Sequence, residues 1–140
     1  MRGSKEGQEG LSSFLEKRDA NWKSWLGDIM LSTVLVANRG EIACRIIRAC
    51  SEAGLTSIAI YAENDAGSLF TELATVAVPL KGDSIGETYL NQQQILAIAA
   101  QYSVDAIHPG FGFLSERADF AQAVIDAGIN WIGPSPHAIE

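Results

Sequence analysis

The chain has 140 residues, of which 47% are hydrophobic and 19% are charged. This is enough for one globular domain and too few for two domains of ordinary size, and no apolar run approaches the length of a membrane span. Residues 1–30 hold five basic and five acidic residues, so the net charge of −7 lies entirely in 31–140. An acidic domain without a basic stripe repels a phosphate backbone, which argues against a nucleic-acid partner.

The first thirty residues differ in character from the rest of the chain. Residues 1–11 are polar and glycine-rich with no period, which predicts a disordered start. A capping box at 13–16 then begins an amphipathic helix. Its apolar face comprises Leu15, Trp22, Trp25, Leu26 and Ile29. We expect this arm, residues 1–30, to dock on the domain or on a neighbour; a partner-binding or targeting helix is the alternative.

From Ser32 the pattern alternates between strands and helices. The predicted strands are 33–37, 56–61, 76–78, 104–107 and 129–132. The predicted helices are 41–53, 69–74, one that follows Asn91 and runs to about 102, and 116–127, with a further helix starting at 136. Gly54 and Gly128 are expected to end helices, and Asn91, Ser115 and Ser135 to cap them. The alternation predicts an α/β domain with a mainly parallel sheet of about five strands.

The segment 108–116 is the candidate working edge, because it follows a buried strand at the end where open α/β sheets usually build their sites. Pro109 and two glycines break the strand there, and Ser115 is predicted to cap the next helix. Phe111 and Phe113 stand out, since water-facing turns seldom carry aromatic residues. Each of them needs a core to fill, or a ligand or neighbouring domain to contact.

Other kinds of chemistry find little support in the sequence. The turn at 38–41 contains one glycine where a dinucleotide fingerprint needs three, so nicotinamide binding is disfavoured. Cys44 and Cys50 are too far apart along one helix for a disulfide and have no second pair for zinc, which predicts core-packing thiols. His108 and His137 have no metal-ligand spacing, and Ser115 lacks the elbow that a nucleophilic serine needs.

Several separated segments resemble the biotin carboxylase family, in that family's order and at its spacing. They are 34–50 (VLVANRGEIACRIIRAC), 88–91 (TYLN), 106–116 (AIHPGFGFLSE) and 132–135 (IGPS). The resemblance covers about residues 31–140 and leaves out the arm. It implies the N-terminal, pre-ATP-grasp domain of a biotin-dependent carboxylase, with a Rossmann-like sheet packed beside an ATP-grasp fold that follows it. We therefore expect a chain truncated before the ATP-grasp domain.

The resemblance also implies an activity and its cofactors. Such enzymes use ATP and bicarbonate, with Mg²⁺, to carboxylate N1 of biotin carried on another protein or domain. The residues that hold nucleotide and metal lie downstream in relatives, so we expect no catalytic or metal-binding residue here, no tight cofactor binding and no activity by this chain alone. The expected partners are the ATP-grasp domain, the biotin carrier and the carboxyltransferase parts, with a homo-oligomer possible.

Only a few residues carry a role over from the family. Phe111 stands where relatives usually have tyrosine and, with Gly112, is expected to form a wall of the biotin site. Arg48 and Glu52 match a pair at the subunit interface of dimeric bacterial relatives, although residues four apart on a helix also form ordinary solvated pairs. Arg117 stands where relatives commonly have asparagine.

Two further functions stay open at this level. One is a free-standing truncated relative that binds or regulates rather than catalyses, with Trp22, Trp25 and the sheet edge as its docking surface. The other is a nucleotide-binding oxidoreductase domain. The arm has no secretory core and too many acidic residues for a typical mitochondrial presequence, so we expect the cytoplasm, with the mitochondrial matrix as the alternative.

Overall fold

The computed structural model of the protein describes residues 31–139, and the predicted arm at 1–30 lies outside them. The strands are Thr33–Val36 (β1), Thr56–Tyr61 (β2), Val76–Pro79 (β3), Ala106–His108 (β4) and Asn130–Trp131 (β5). The α-helices are Gly40–Glu52 (α1), Leu69–Leu73 (α2), Gln92–Gln101 (α3), Ala118–Asp126 (α4) and Pro136–Ile139 (α5). Two short 3-10 helices cover Glu63–Asp65 and Phe113–Glu116.

The five strands form one sheet in the order β3-β2-β1-β4-β5, and every neighbouring pair is parallel. β1 is the central strand, since Leu35 pairs with Ile58 on one side and with Ile107 on the other. Parallel pairing requires a crossover between consecutive strands, and the helices supply it. The prediction of an α/β fold with a parallel sheet of about five strands is confirmed.

Both faces of the sheet are buried, which explains the continuous apolar runs of the central strands. Successive residues of β1 alternate between two cores because side chains of a strand point to opposite faces. One core contains Val34 and Val36 and is closed by α1 and α2, and the other contains Leu35 and is closed by α3 and α4. No helix between residues 31 and 139 is both long and apolar enough to cross a membrane.

Most helix ends follow from local sequence. Gly54 takes φ +77 after α1, where glycine avoids the steric penalty of a side chain. The side chain of Asn91 accepts a hydrogen bond of 3.0 Å from the amide of Gln94 at the start of α3. Ser135 likewise accepts from the amide of Ala138 at 3.1 Å, and Pro136 is the first residue of α5. These predicted ends are confirmed.

The predicted cap at Ser115 is wrong. Ser115 lies inside the 3-10 helix Phe113–Glu116, its amide donates to the carbonyl of Gly112, and α4 begins only at Ala118. Arg117 therefore occupies the N-cap position, where its side chain makes no capping hydrogen bond. The local serine signal was overridden because the chain adds a separate 3-10 turn between the loop and the helix.

The two cysteines are core residues of α1, as the sequence predicts. Cys44 is 5% exposed, Cys50 is fully buried, and both are free thiols. Burial raises the pKa of the Cys50 thiol to about 12, since an apolar environment penalises the thiolate. Cys50 therefore stays protonated and unreactive at neutral pH.

Candidate substrate-binding loop at the carboxyl edge of the sheet

The candidate site lies beside the central strand β1, at the point where the strand order changes direction: β2 and β3 lie on one side of β1, and β4 and β5 lie on the other. β1 is followed by β2 on one side, whereas β4 pairs with the other side of β1 and continues to β5. The loops leaving β1 and β4 therefore diverge and leave a crevice at their carboxyl ends, which is where open α/β sheets bind ligands. Residues 109–113, here called the β4 loop, and Asn38 meet at this point.

Asn38 holds the β4 loop directly. Its side-chain amide nitrogen donates to the carbonyl oxygens of Pro109 at 2.8 Å and Phe111 at 2.7 Å. Its amide oxygen accepts from the backbone nitrogen of Arg39 at 2.8 Å, and the residue is only 2% exposed. A buried side-chain amide with both ends satisfied is a rigid anchor, so the backbone of the loop is fixed to the end of β1.

Gly110 is required by this anchor. It takes φ +70, and a Cβ atom added there would lie 2.7 Å from the side-chain nitrogen of Asn38. Gly112 also has a positive φ, +75, but a Cβ there would meet nothing within 4 Å. The first glycine therefore allows close approach to Asn38, whereas the second borders open space.

The two phenylalanines of the loop have opposite environments. Phe113 is half-buried in the core beneath α3 and α4, and its ring centroid lies 5.3 Å from that of Tyr89. Phe111 is 44% exposed. The loop thus fills the core with one aromatic side chain and leaves the other at the surface, beside the open face of Gly112.

A network that the sequence did not reveal lies beside the loop. The carboxylate of Asp65 accepts from Arg39 Nε at 2.7 Å, from Arg39 Nη2 at 2.5 Å and from the Tyr89 hydroxyl at 2.6 Å. The Arg39 hydrogen bond is the main cause that lowers the pKa of Asp65. Burial, followed by the bond to Asp65, raises the pKa of Tyr89 above its usual range, so the phenol remains a donor.

This network was missed because its members are 24 and 26 residues apart and only the fold brings them together. The sequence did contain one indication of it: Arg39 follows β1 and Asp65 follows β2, so both residues lie at the carboxyl edge of the sheet. A cavity of about 180 Å³ opens next to them. Its lining includes Glu63 and Asp83, so it is not suited to an anion.

His108 is buried, and its side chain contacts the backbone of the β4 loop. Its Nδ1 accepts from the backbone nitrogen of Gly110 at 3.1 Å, and its Nε2 has no hydrogen-bond partner within the described chain. Burial lowers the pKa of His108 to about 3, because charge is costly in an apolar environment. The imidazole is therefore neutral at physiological pH and has no exposed face from which to exchange a proton.

Arg48 and Glu52, the predicted interface pair, lie on the exposed side of α1. Among residues 31–139, no ion pair joins them. The ordinary intrahelical salt bridge is thus not formed, and an interface role stays a prediction. Phe111 and Gly112 are brought together as adjacent residues at the crevice, and their contact with biotin likewise stays a prediction.

Comparison with known proteins identifies the family. The family model described as biotin carboxylase, N-terminal domain, matches residues 30–139. The chain belongs to this family. It is 57% identical over 109 residues to the biotin-dependent acyl-coenzyme A carboxylase alpha3 subunit of Mycobacterium leprae, covering 78% of this chain and 18% of that protein. It is 50% identical over 111 residues to the biotin carboxylase of Halalkalibacterium halodurans, covering 79% of this chain and 25% of that protein.

A solved structure of this family agrees with the fold. The biotin carboxylase domain dimer of the Hydrogenobacter thermophilus 2-oxoglutarate carboxylase, in complex with MgADP, ADP and bicarbonate, matches with a TM-score of 0.74 and 44% identity. The match covers 77% of this chain and 24% of that one. The chain thus spans a quarter or less of the length of these relatives.

Proposed function

We propose that this biotin carboxylase N-terminal domain supplies one wall of a biotin site, formed by Phe111 and Gly112. The observation that carries the proposal is the β4 loop, which Asn38 fixes in place and which presents an exposed aromatic ring beside an open glycine. An aromatic face suits the flat, partly apolar ring system of biotin. The crevice at the carboxyl ends of β1 and β4 is the usual position for a ligand in such a sheet.

The described residues fit biotin better than they fit ATP or Mg²⁺. Arg39 is already paired with Asp65, and Glu41 at the first turn of α1 would repel a phosphate group. Among residues 31–139, no group of three or more His, Cys, Asp or Glu side chains is arranged to hold a metal ion. We therefore assign ATP, bicarbonate and Mg²⁺ to the ATP-grasp part of a complete enzyme.

In this proposal the loop orients the substrate and does not react with it. Bound biotin supplies the ring nitrogen that accepts the carboxyl group in the family's reaction. Phe111 stacks on the ring system, Gly112 lets it approach the backbone, and neutral, buried His108 exchanges no proton with it. The complete enzyme carboxylates carrier-bound biotin with ATP and bicarbonate, and the 140-residue chain has no carboxylase activity by itself.

A graft tests this function. Residues 31–139 replace the matching segment of the Halalkalibacterium halodurans biotin carboxylase, to which the chain is 50% identical. We expect the graft to release ADP in a reaction that depends on both bicarbonate and free biotin. A graft that is folded by circular dichroism and binds ATP, but whose ATP hydrolysis is unaffected by biotin, would contradict the proposal and favour a non-catalytic binding module.

We further propose that Arg48 and Glu52 lie at a contact between two copies of the complete enzyme. Both side chains are exposed on α1 and do not pair with each other. The support is the Hydrogenobacter domain, which is described as a dimer. Sedimentation of the graft should show that Arg48→Glu shifts the equilibrium toward monomer, whereas the control Asp126→Arg on α4 does not; equal behaviour would refute the interface.

The remaining partners and the compartment follow from the same reasoning. We propose that the enzyme works with a biotin carrier and a carboxyltransferase, on the same chain or on separate subunits. The two free, buried thiols of α1 suit a reducing compartment. We propose the cytoplasm, with the mitochondrial matrix as the alternative; fractionation of cells producing the complete protein distinguishes them.

A further inference from the structure

We propose that Tyr89 is a positioning residue for the β4 loop, acting through the ring of Phe113. That Tyr89 fixes the loop rests on contacts alone, and that biotin binding needs a fixed loop rests on the proposed function. Asp65 and Arg39 keep Tyr89 in place. Within residues 31–139, the side chains of these three residues make no hydrogen bond to the β4 loop, so the support passes through ring packing.

The loop needs such support because its backbone is strained. Phe113 takes φ +47 directly after Gly112 at +75. Left-handed backbone is easy for glycine but unfavourable for phenylalanine, whose Cβ atom approaches its own carbonyl oxygen. Strain of this kind persists only where surrounding contacts enforce it. The ring of Phe113 makes that contact, because it packs against Tyr89 at a centroid distance of 5.3 Å and an interplanar angle of 33°.

Tyr89 is itself held from two sides. Its hydroxyl donates to Asp65 Oδ2 at 2.6 Å and accepts from the backbone nitrogen of Ala62 at 3.0 Å. The side chain is 2% exposed, so its ring has no room to turn. The guanidinium of Arg39 binds both oxygens of Asp65 and also lies 5.9 Å from the centre of the Tyr89 ring.

The β4 loop is thus fixed at both ends by two consecutive residues that follow β1, Asn38 and Arg39. Asn38 binds the carbonyls of Pro109 and Phe111, and the next residue, Arg39, anchors the carboxylate that orients Tyr89. The carbonyl of Phe111 belongs to the first support, and Gly112 lies between that carbonyl and the ring of Phe113. Removing the Tyr89 hydroxyl should therefore loosen the loop without emptying the core beneath it.

The test uses Tyr89→Phe in the 140-residue chain, read by amide hydrogen exchange. The reporter is the amide of Ser115, which donates to the Gly112 carbonyl at 2.9 Å, and the reference is the amide of Ile58 in β2. Loss of a hydrogen bond to a carboxylate should speed exchange at Ser115 roughly tenfold relative to Ile58. The control is Tyr102→Phe, since the partly buried Tyr102 ring packs against the same core but its hydroxyl has no hydrogen-bond partner within residues 31–139.

Two outcomes overturn the positioning role. One is unchanged exchange at Ser115, and the other is equal acceleration at Ser115 and Ile58, which would show a general loss of stability. The graft then tests whether biotin binding needs a fixed loop: Tyr89→Phe should raise the apparent KM for free biotin and leave that for ATP unchanged. If exchange accelerates locally but the biotin KM does not move, Tyr89 positions the loop and the assignment of the loop to biotin is refuted.

Discussion

Gly110→Ala is the substitution for which the structure makes the sharpest stability prediction. The added methyl group would lie 2.7 Å from the side-chain nitrogen of Asn38 and 3.0 Å from its Cβ atom. Asn38 is buried and cannot move aside without losing its bonds to Pro109 and Phe111. The backbone at 110 also has φ +70, which alanine adopts only at a cost.

The magnitude follows from adding these two effects. Left-handed backbone costs a residue with a Cβ atom about 1 kcal/mol. Loss of the two hydrogen bonds of the Asn38 amide costs a further ~1 kcal/mol each. Gly110→Ala should therefore lower the free energy of unfolding by about 3 kcal/mol. Gly54→Ala is the matched control, because its φ is +77 but its added methyl would meet nothing within 4 Å, so only ~1 kcal/mol should be lost.

Urea denaturation of the two variants and the parent chain, followed by circular dichroism, measures both changes. We expect the Gly110 variant to be less stable than the Gly54 variant by about 2 kcal/mol, with similar slopes of free energy against urea. Equal destabilisation of the two variants would show that backbone strain alone is at work. In that case Asn38 does not anchor the loop.

Two further variants test the helix cap and the buried histidine. Arg117→Asn should raise the free energy of unfolding by about 1 kcal/mol, since asparagine caps a helix well and the lost Arg117–Asp119 pair is exposed; urea midpoints no higher than those of Arg117→Ala would contradict this. The pKa of His108 is about 3 in the folded chain and about 6.5 in the unfolded chain. The contribution of the neutral imidazole to stability is therefore complete above pH 6.5 and is lost as the pH falls toward 3. Between pH 7 and 5 the free energy of unfolding of the parent chain should fall by about 2 kcal/mol because of this group. The side-chain oxygen of the His108→Asn variant can still accept from the Gly110 amide but does not titrate, so its free energy of unfolding should fall by correspondingly less in the same urea assay. An unchanged pH dependence would show that His108 is not the group responsible.

The sequence predicted the order of elements well because the signals are local. Continuous apolar runs marked the strands, and Gly54 and Asn91 marked helix ends through backbone conformation and a side-chain hydrogen bond. Ser115 failed for an equally physical reason. A serine is a good cap only where the helix starts, and the left-handed backbone at Phe113 starts a 3-10 turn instead, which moves the start of α4 to Ala118.

The site was predictable only in part. The position of the loop at a carboxyl edge followed from the alternation of strands and helices, and two aromatic residues there were recognised as unusual. Which of the two faces the core goes with the positive φ angles at 112 and 113 and with the packing of Phe113 on Tyr89, which is 24 residues away in the sequence. The Arg39–Asp65–Tyr89 network could not be read locally, since it joins the ends of two strands to a distant segment.

The central claim is that Phe111 contacts biotin, and the apparent KM for free biotin tests it most directly. The graft carrying Phe111→Ala is compared with one carrying Ile125→Ala, because both side chains are 44% exposed but Ile125 lies at the end of α4. Loss of the aromatic face should raise the biotin KM about tenfold in the first variant, with the ATP KM unchanged, and leave both constants unchanged in the second. An unchanged biotin KM for the Phe111 variant would contradict the account.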